Sequence, residues 1–576
     1  MKNIITYIVL IIILSSTSLQ AQEAKKAIHE AMEQEISRNL KNLHLAGMKD
    51  PFYIGLDVAD INFVAIHSSL GALIRLYESP NRIAYNNQVL VGDYTNNNLN
   101  FSDAKASSYY LQTFSMLPQD NSAQELKRRL WMTFDRGYKL STEIYESKQS
   151  ALKSKTQEND IVGLPDFSSS EKVLVEKPEI ALKFDAPKLT AYSNAVSAAF
   201  KSYKSLSGSW VRLVGYKANV YFSNSEGTKA SYPTSILRLV VEAEIQASNG
   251  EVFELYNMYH ALSETDLPLK EQVIKDTQLL AETLIKLKEA PVFDDVYNGP
   301  VLFEGQAASE VIRKTMFYAR NENLCAVRKL VTGNSGMNPG MSSNVSADNR
   351  IDKKVSAEGL SVIAKPGMYS YNGIPLVGAY PIDMEGIVPI QETSLIENGI
   401  LKNLLCGRIP TAKMKQSNGH LRVSFYSLAP MIVPGVIDVD FKDAVSKDEL
   451  KKKLIEIAKA EGLNYGLIVR CMTPNQSELK LVYRVDINTG EEKLIRSAGF
   501  KGLTLNDLRK IVGASNQKVV LNTAAGEDLA HKTDMPNGCP ASFITPDAFL
   551  FKEIEVNKAI RPNMAKLPIV KNPLEL

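Results

Sequence analysis

Hydrophobic and polar positions alternate between two periods along this chain. Ile28, Met32, Ile36, Leu40 and Leu43 recur at helical spacing with charges between them, which predicts an amphipathic helix over 23–45, ended near Gly47 and Pro51. Strand-like runs follow at Phe52–Val58, Ile61–His67 and Gln88–Tyr94, separated by polar, Asn-rich turns. A second helix starts at Ser122, where Glu125 completes a capping-box pattern, and Leu126, Leu130, Phe134 and Tyr138 mark its buried face. The stretch Ser147–Glu171 has no apolar periodicity and contains Ser168-Ser169-Ser170, so 147–185 reads as a polar surface linker.

Beyond it, a helix around Leu189–Tyr203 leads into a strand at Trp210–Phe222 and a turn at Asn224-Ser225-Glu226-Gly227. Strands at Ile236–Ala247 and Val252–Tyr259 are joined by Asn249-Gly250, a hairpin signal, and a helix over Leu269–Lys288 closes the unit. From Pro300 onward the chain is mostly short strands with Gly and Pro turns, broken by one clear helix at Lys447–Glu461. The pattern is α+β. It divides into a mixed N-terminal unit over 22–146, the linker, a central unit over 186–295 and a β-rich C-terminal domain over 296–576.

The N-terminal 21 residues have a different pattern. Lys2 supplies a positive start, Tyr7–Leu14 an apolar core, and Leu19-Gln20-Ala21 a small-residue exit. This predicts a secretory signal peptide cleaved after Ala21, and a periplasmic or secreted protein. The apolar core is shorter than the ~20 residues of a bilayer span, and no later stretch reaches that length. Export would put Cys325, Cys406, Cys471 and Cys539 in an oxidising compartment, where three pairings, or free buried thiols, are open.

The 576 residues carry 66 Lys+Arg against 64 Asp+Glu, a net charge of +2, which argues against a nucleic-acid binder. The basic stretch Lys447–Lys459 reads as the solvated face of a helix with Leu450, Leu454 and Ile457 inward. Phosphate-loop, dinucleotide-fold and serine-hydrolase motifs are all missing. Six His are few for this length, and no two share a helix face. His29-Glu30 opens an HExxH-like pattern, but the second His position is Glu33, so His29 is expected on the polar side of its helix. Asp383 and Glu385 flank one residue and read as turn residues.

The segment Ile382–Arg408 reads IDMEGIVPIQETSLIENGILKNLLCGR. It resembles the D-x-E-G-x-P-x-Q-x-T-x-L-I-E-N-G-x-L stretch of the TldD/PmbA, or modulator-of-gyrase, family of metallopeptidases. The matching positions are Asp383, Glu385, Gly386, Pro389, Gln391, Thr393 and Leu395–Gly399. One departure is the pair Ile387-Val388, two residues where the family has one. Lys354-Val355 with Leu360-Ser361-Val362, Gly299–Leu302, the NSEG turn at 224–227 and Gly538-Cys539 followed by Pro546 resemble the family in the same order. The resemblance spans roughly 25–560. It implies a TldD/PmbA-like fold with an N-terminal α/β domain, a central α+β domain and a β-rich C-terminal domain. It makes Asp383, Glu385, Gln391 and Asn398 candidate substrate-channel residues.

Active members of that family hold zinc with an HExxxH helix and a Cys from the C-terminal domain. They cleave unfolded and modified peptides, often as a TldD subunit paired with a metal-free TldE/PmbA subunit. Placing Pro300 on the family proline puts Arg313, Lys314 and Tyr318 where His, Glu and His belong. Arg and Lys cannot replace zinc ligands at neutral pH, and Cys539 is left as a weak candidate ligand. Three readings follow. The first is an exported metal-free subunit that works with a metal-bearing relative on peptides. The second is a zinc peptidase with rearranged ligands from Cys539, His420, His531 and Glu385. The third is a non-catalytic peptide-binding scaffold using exposed strand edges. The gyrase name does not imply a nucleic-acid partner.

Overall fold

The structure is a computed structural model. It describes residues 25–120, 122–154, 163–318, 322–332, 345–473, 478–525, 538–559, 566–570 and 572–575. The expected signal peptide and His531 lie outside these residues. Among the described residues, no helix is long and apolar enough to cross a membrane.

The N-terminal half is built on one sheet of long antiparallel strands, β1 (Pro51–Ser69), β2 (Ala72–Val91), β3 (Gly208–Asn224), β4 (Lys229–Gln246) and β5 (Val252–Ala261). The order is β2-β1-β3-β4-β5, so the N-terminal and central units share a single sheet across the boundary expected between them. The two strand runs expected at 52–58 and 61–67 are one strand. No break falls between them because the residues that interrupt the apolar pattern, such as Asp57 and Asn62, are themselves buried. The chain reverses instead at Leu70 and Gly71, both with positive φ, 46° and 77°.

Period-2 alternation on β1 sorts its side chains between two environments. Ile54, Leu56, Val58, Val64 and Ile66 pack beneath helices α1 (25–42), α2 (Ala123–Ser154), α3 (Ala186–Ala198) and α4 (Lys270–Glu289). Ala59, Ile61 and Phe63 face the other way, against Val377, Phe425 and Leu428 of the C-terminal domain. His29 is on the buried side of α1, edge-on to Tyr221 at 5.6 Å, not on the polar side as expected. Burial lowers its pKa to about 4, so it packs as a neutral ring.

The expected linker is largely ordered structure. Helix α2 continues through Ser154, and Lys148 is buried, donating to the Asn97 and Leu99 carbonyls and pairing with Asp166. Phe167 is fully buried against Tyr53. A buried ion pair and one isolated aromatic leave no periodic trace in the sequence, which is why this segment reads as polar.

Among the described residues, the C-terminal domain is built on two large sheets, with short two-stranded ribbons beside them. One contains β6 (Tyr297–Glu304), β9 (Tyr465–Met472), β10 (Leu479–Asp486) and β13 (Ala548–Lys558); the other contains β7 (Leu360–Ala364), β8 (Val436–Phe441), β11 (Lys518–Ala525) and β12 (Cys539–Pro546). Helix α5 (Gln306–Arg313) contributes Ala307, Ala308, Val311 and Ile312 to the core shared by the two sheets. Helix α6 (Lys447–Ala460), capped by a Ser446/Glu449 capping box, buries Leu450 and Leu454 on the outer side of the first sheet.

Candidate functional site

Two adjoining groups of residues sit where the C-terminal domain meets the helix-free face of the N-terminal sheet. The first is organised by the DxEG turn. Asp383 Oδ1 accepts the Glu385 and Ile387 N–H groups, both at 2.9 Å, and Gly386 turns with φ 80°. Glu385 Oε2 accepts the Arg408 N–H at 2.7 Å. The Arg408 side chain, fully buried, makes a bidentate pair with Glu226 of the NSEG turn at 2.8 and 2.6 Å. It also donates to the Ser168 carbonyl and lies 4.0 Å above the Phe167 ring. Glu226 further accepts the Tyr94 hydroxyl at 2.8 Å.

Asp383 and Glu385 are thus turn residues and are both buried. Burial pushes both carboxyls up, Glu385 to about 8, with the negative Asp383 adding to the effect there. Three backbone N–H groups (Glu385, Ile387, Leu421) work against the rise at Asp383 and favour its ionised form.

The backbone on either side of this turn forms one wall of a cavity of about 240 Å³. Asp57 of β1, Tyr85 of β2, Tyr216 of β3 and Tyr232 of β4 line it from the sheet, and Tyr380, Asp383, Arg422, Phe425 and Pro540 from the C-terminal domain. Asp57 accepts the Asn86 side-chain N–H at 2.6 Å on Oδ2, while its buried Oδ1 has no partner among the described residues. Of the four expected channel residues, only Asp383 lines this cavity. Gln391 is exposed. Asn398 is an exposed turn residue, φ 46°, whose Oδ1 accepts the Gly359 N–H at 2.7 Å; Asn398-Gly399 is hairpin chemistry.

The second group lies around α5. The helix passes at Lys314 into a π turn, Lys314–Tyr318. In a regular α-helix, residues five apart point about 140° away from each other. The wider π turn brings them together, so Arg313 and Tyr318 meet, with the guanidinium 5.0 Å from the Tyr318 ring. An i, i+5 motif such as HExxxH needs this local geometry. Arg313 is fully buried and pairs with Glu310 at 2.6 Å. Cys539 and Arg422 act electrostatically on the Tyr318 hydroxyl, which places the four groups near one another.

This donor set does not fit zinc. A buried guanidinium occupies the place of the first ligand, and burial raises the Cys539 thiol, which disfavours the thiolate a metal would take. Among the described residues, no three His, Cys, Asp or Glu side chains stand together as a metal cage. His420, a candidate for a rearranged site, is fully buried and neutral. Burial lowers its pKa to about 3, and Nδ1 is 3.0 Å from the Asn418 carbonyl.

Residues 297–558 match the family profile described as the PmbA/TldA metallopeptidase C-terminal domain. The C-terminal domain of this chain belongs to the TldD/PmbA family. No curated protein matches it. Among solved structures, TldE from Thermococcus kodakarensis is 12% identical with a TM-score of 0.57, covering 92% of this chain and 100% of its own. A proposed modulator of a DNA gyrase from Thermotoga maritima is 13% identical with a TM-score of 0.54, covering 92% and 99%. Another from Bacteroides thetaiotaomicron is 11% identical with a TM-score of 0.55, covering 93% and 98%. At these identities the likeness is one of fold. It extends the α+β architecture of this TldD/PmbA-family protein through the N-terminal half, which the profile does not reach.

Several site residues carry no motif of their own: Asp57, Arg408 and the tyrosines of the sheet. The available signal was a carboxylate inside an apolar strand run, Asp57 in Phe52–Val58.

Proposed function

We propose that this protein is an exported, metal-free member of its family that handles peptides together with a metal-bearing TldD-like subunit. The observation that carries this reading is the buried Arg313–Glu310 pair packed against Tyr318, at the positions where the family resemblance puts zinc ligands. A cation locked there by its own counter-ion leaves no place for a second cation. The residues of this chain would then shape and hold substrate, while hydrolysis belongs to the partner. Export follows from the N-terminal pattern of a positive start, apolar core and small-residue exit.

Metal analysis of the purified mature protein tests the first part. Less than a tenth of an equivalent of zinc after dialysis is expected; one equivalent that survives dialysis would overturn it. Peptide hydrolysis by the chain alone, abolished by a chelator and by Cys539→Ala, would replace this reading with a rearranged metallopeptidase. Co-purification with a relative carrying HExxxH tests the pairing.

One observation favours the non-catalytic scaffold as a second reading. Strand β2 is paired on its outer side only at Arg82–Ala84 among the described residues, and Leu73, Ile74, Leu76 and Tyr77 are exposed. An open edge with apolar side chains suits strand addition by an extended peptide. Peptide binding without turnover, even beside a metal-bearing relative, would select it.

A further inference from the structure

We propose that the cavity between the N-terminal sheet and the C-terminal domain binds a primary alkylammonium group, with Asp57 as its counter-ion. The proposal stands on geometry and does not depend on the metal-free reading, since it concerns what the cavity holds and not whether a peptide is cut.

Asp57 is the starting point. It lies on β1 with its side chain on the domain-facing side, fully buried, and it lines the cavity. Asn86 satisfies one carboxylate oxygen, and among the described residues Oδ1 has no hydrogen-bond partner. Protonation moves the problem without removing it, because an O–H on Oδ1 would itself need an acceptor. Whichever form Asp57 takes, an occupant completes it. The charge acting on it is that of Asp383, also negative, and burial with this repulsion raises its pKa well above the ordinary value. A cation in the cavity would relieve both effects.

The other walls select the kind of cation. Tyr85, Tyr216, Tyr232 and Phe425 surround the space, with the Phe425 ring 5.1 Å from Tyr85 and 4.9 Å from Tyr216. Aromatic faces attract cations and accept an apolar stem, whereas a divalent metal ion would need several more oxygen ligands. One unpartnered carboxylate oxygen suits an ammonium, which is a point donor; a guanidinium asks for two. An anion is excluded by the two carboxylates. Arg422 also lines the cavity, but its guanidinium is stacked 4.3 Å from the Tyr380 ring and donates to the Pro540 and Pro434 carbonyls at 2.6 and 3.3 Å. It is committed to the wall.

Size completes the argument. Pockets for drug-sized ligands run to roughly 300–1,000 Å³; about 240 Å³ suits a group the size of one long side chain. Tyr369, 54% exposed, also lines the cavity and marks its mouth, so the ligand enters from solvent. A lysine side chain or the amino terminus of a peptide presents this chemistry, and so does a free alkylamine.

The test is calorimetric titration of the mature full-length protein with n-pentylammonium, against 1-pentanol as the neutral analogue of the same shape. The ammonium is expected to bind at least about tenfold more tightly than the alcohol. Asp57→Asn keeps the shape and the acceptor for Asn86, and should lose most of that preference while its far-UV spectrum and Tm remain those of the parent. An acetylated tripeptide ending in lysine amide, with norleucine as control, identifies the source: competition by the lysine peptide alone assigns the site to peptides, and no competition assigns it to free amines. Failure of n-pentylammonium to bind, equal binding of 1-pentanol, or an unchanged affinity in a folded Asp57→Asn protein would overturn the proposal. If Asp57→Asn does not fold, the ammonium–alcohol comparison on the parent decides.

Discussion

Arg408 and Glu226 are 182 residues apart in sequence and form a bidentate ion pair, with N–O distances of 2.8 and 2.6 Å, in which Arg408 is fully buried and Glu226 nearly so. The pair ties the NSEG turn of the N-terminal sheet to the end of the DxEG segment of the C-terminal domain. Replacing one partner leaves the other charge buried without compensation, which typically costs about 3–5 kcal/mol. Arg408→Met should therefore lower stability by about that amount in denaturant unfolding, and Arg408→Met with Glu226→Gln should recover part of the loss. A change under about 1 kcal/mol in the single variant would show that the domains are held by apolar contact alone.

The buried carboxyls and histidines give opposite pH slopes. Burial holds the Glu385, Asp383 and Asp57 carboxyls above their unfolded values, so the folded state holds more protons than the unfolded chain between the unfolded carboxyl range and the raised folded one. Their contribution to stability is full below the ordinary carboxyl range and is lost as pH rises through the raised folded values, at up to about 1.4 kcal/mol per pH unit for each group. His260 and His420, lowered to about 3, and His29, to about 4, act in the reverse sense: their contribution is present above pH 6.5 and lost as pH falls below it. The carboxyls thus lower Tm toward alkaline pH and the histidines lower it toward acid pH. Glu385→Gln should make the alkaline limb shallower, with Asp383 and Asp57 supplying the rest, and leave the acid limb in place, as thermal unfolding at several pH values would show.

The four cysteines are all free and all buried. Burial raises Cys325, Cys406 and Cys471 to about 12 and Cys539 upward, so almost no thiolate exists at pH 8. Iodoacetamide should leave the native protein unmodified and add four groups after denaturation without reductant. Two added groups would reveal one disulfide.

Long elements with a strong period were legible in the sequence. Leu126, Leu130, Phe134 and Tyr138 are buried on α2 as their spacing implies, and Leu450 and Leu454 on α6 likewise. What escaped was determined by the far side of the sheet. Phe167 and Ser168 look like parts of a polar loop because their partner Arg408 lies hundreds of residues away, and Asp57 looks like an interruption in a strand because Asn86 reaches it from the neighbouring strand. His29 misled for the same reason: its helix position is polar in pattern, but Tyr221 arrives from another strand to cover it. The DxEG turn itself was readable from Asp383 and Gly386. That Asp383 borders a cavity was not, because Tyr85 and Tyr216 come from strands with no motif.

Gly378 offers a way to disturb the site without touching its charges. A Cβ there would lie 2.3 Å from the Gly435 carbonyl oxygen and 2.5 Å from the Ser542 backbone nitrogen, and backbone cannot step aside as a side chain can. The segment from Leu376 to Asp383 would have to lift away from β12, carrying Val377, Tyr380 and Asp383 of the cavity wall with it. Gly378→Ala should cost about 1–3 kcal/mol and weaken n-pentylammonium binding together with stability. Gly373→Ala is the control. Its Cβ meets nothing within 4 Å, so it carries only the strain of φ 80°, about 1–2 kcal/mol, at a hairpin tip that does not line the cavity. Reduced binding in Gly378→Ala with full binding in Gly373→Ala would tie ligand affinity to the position of this segment. Equal binding in the two would show that the wall moves without carrying Asp383 with it.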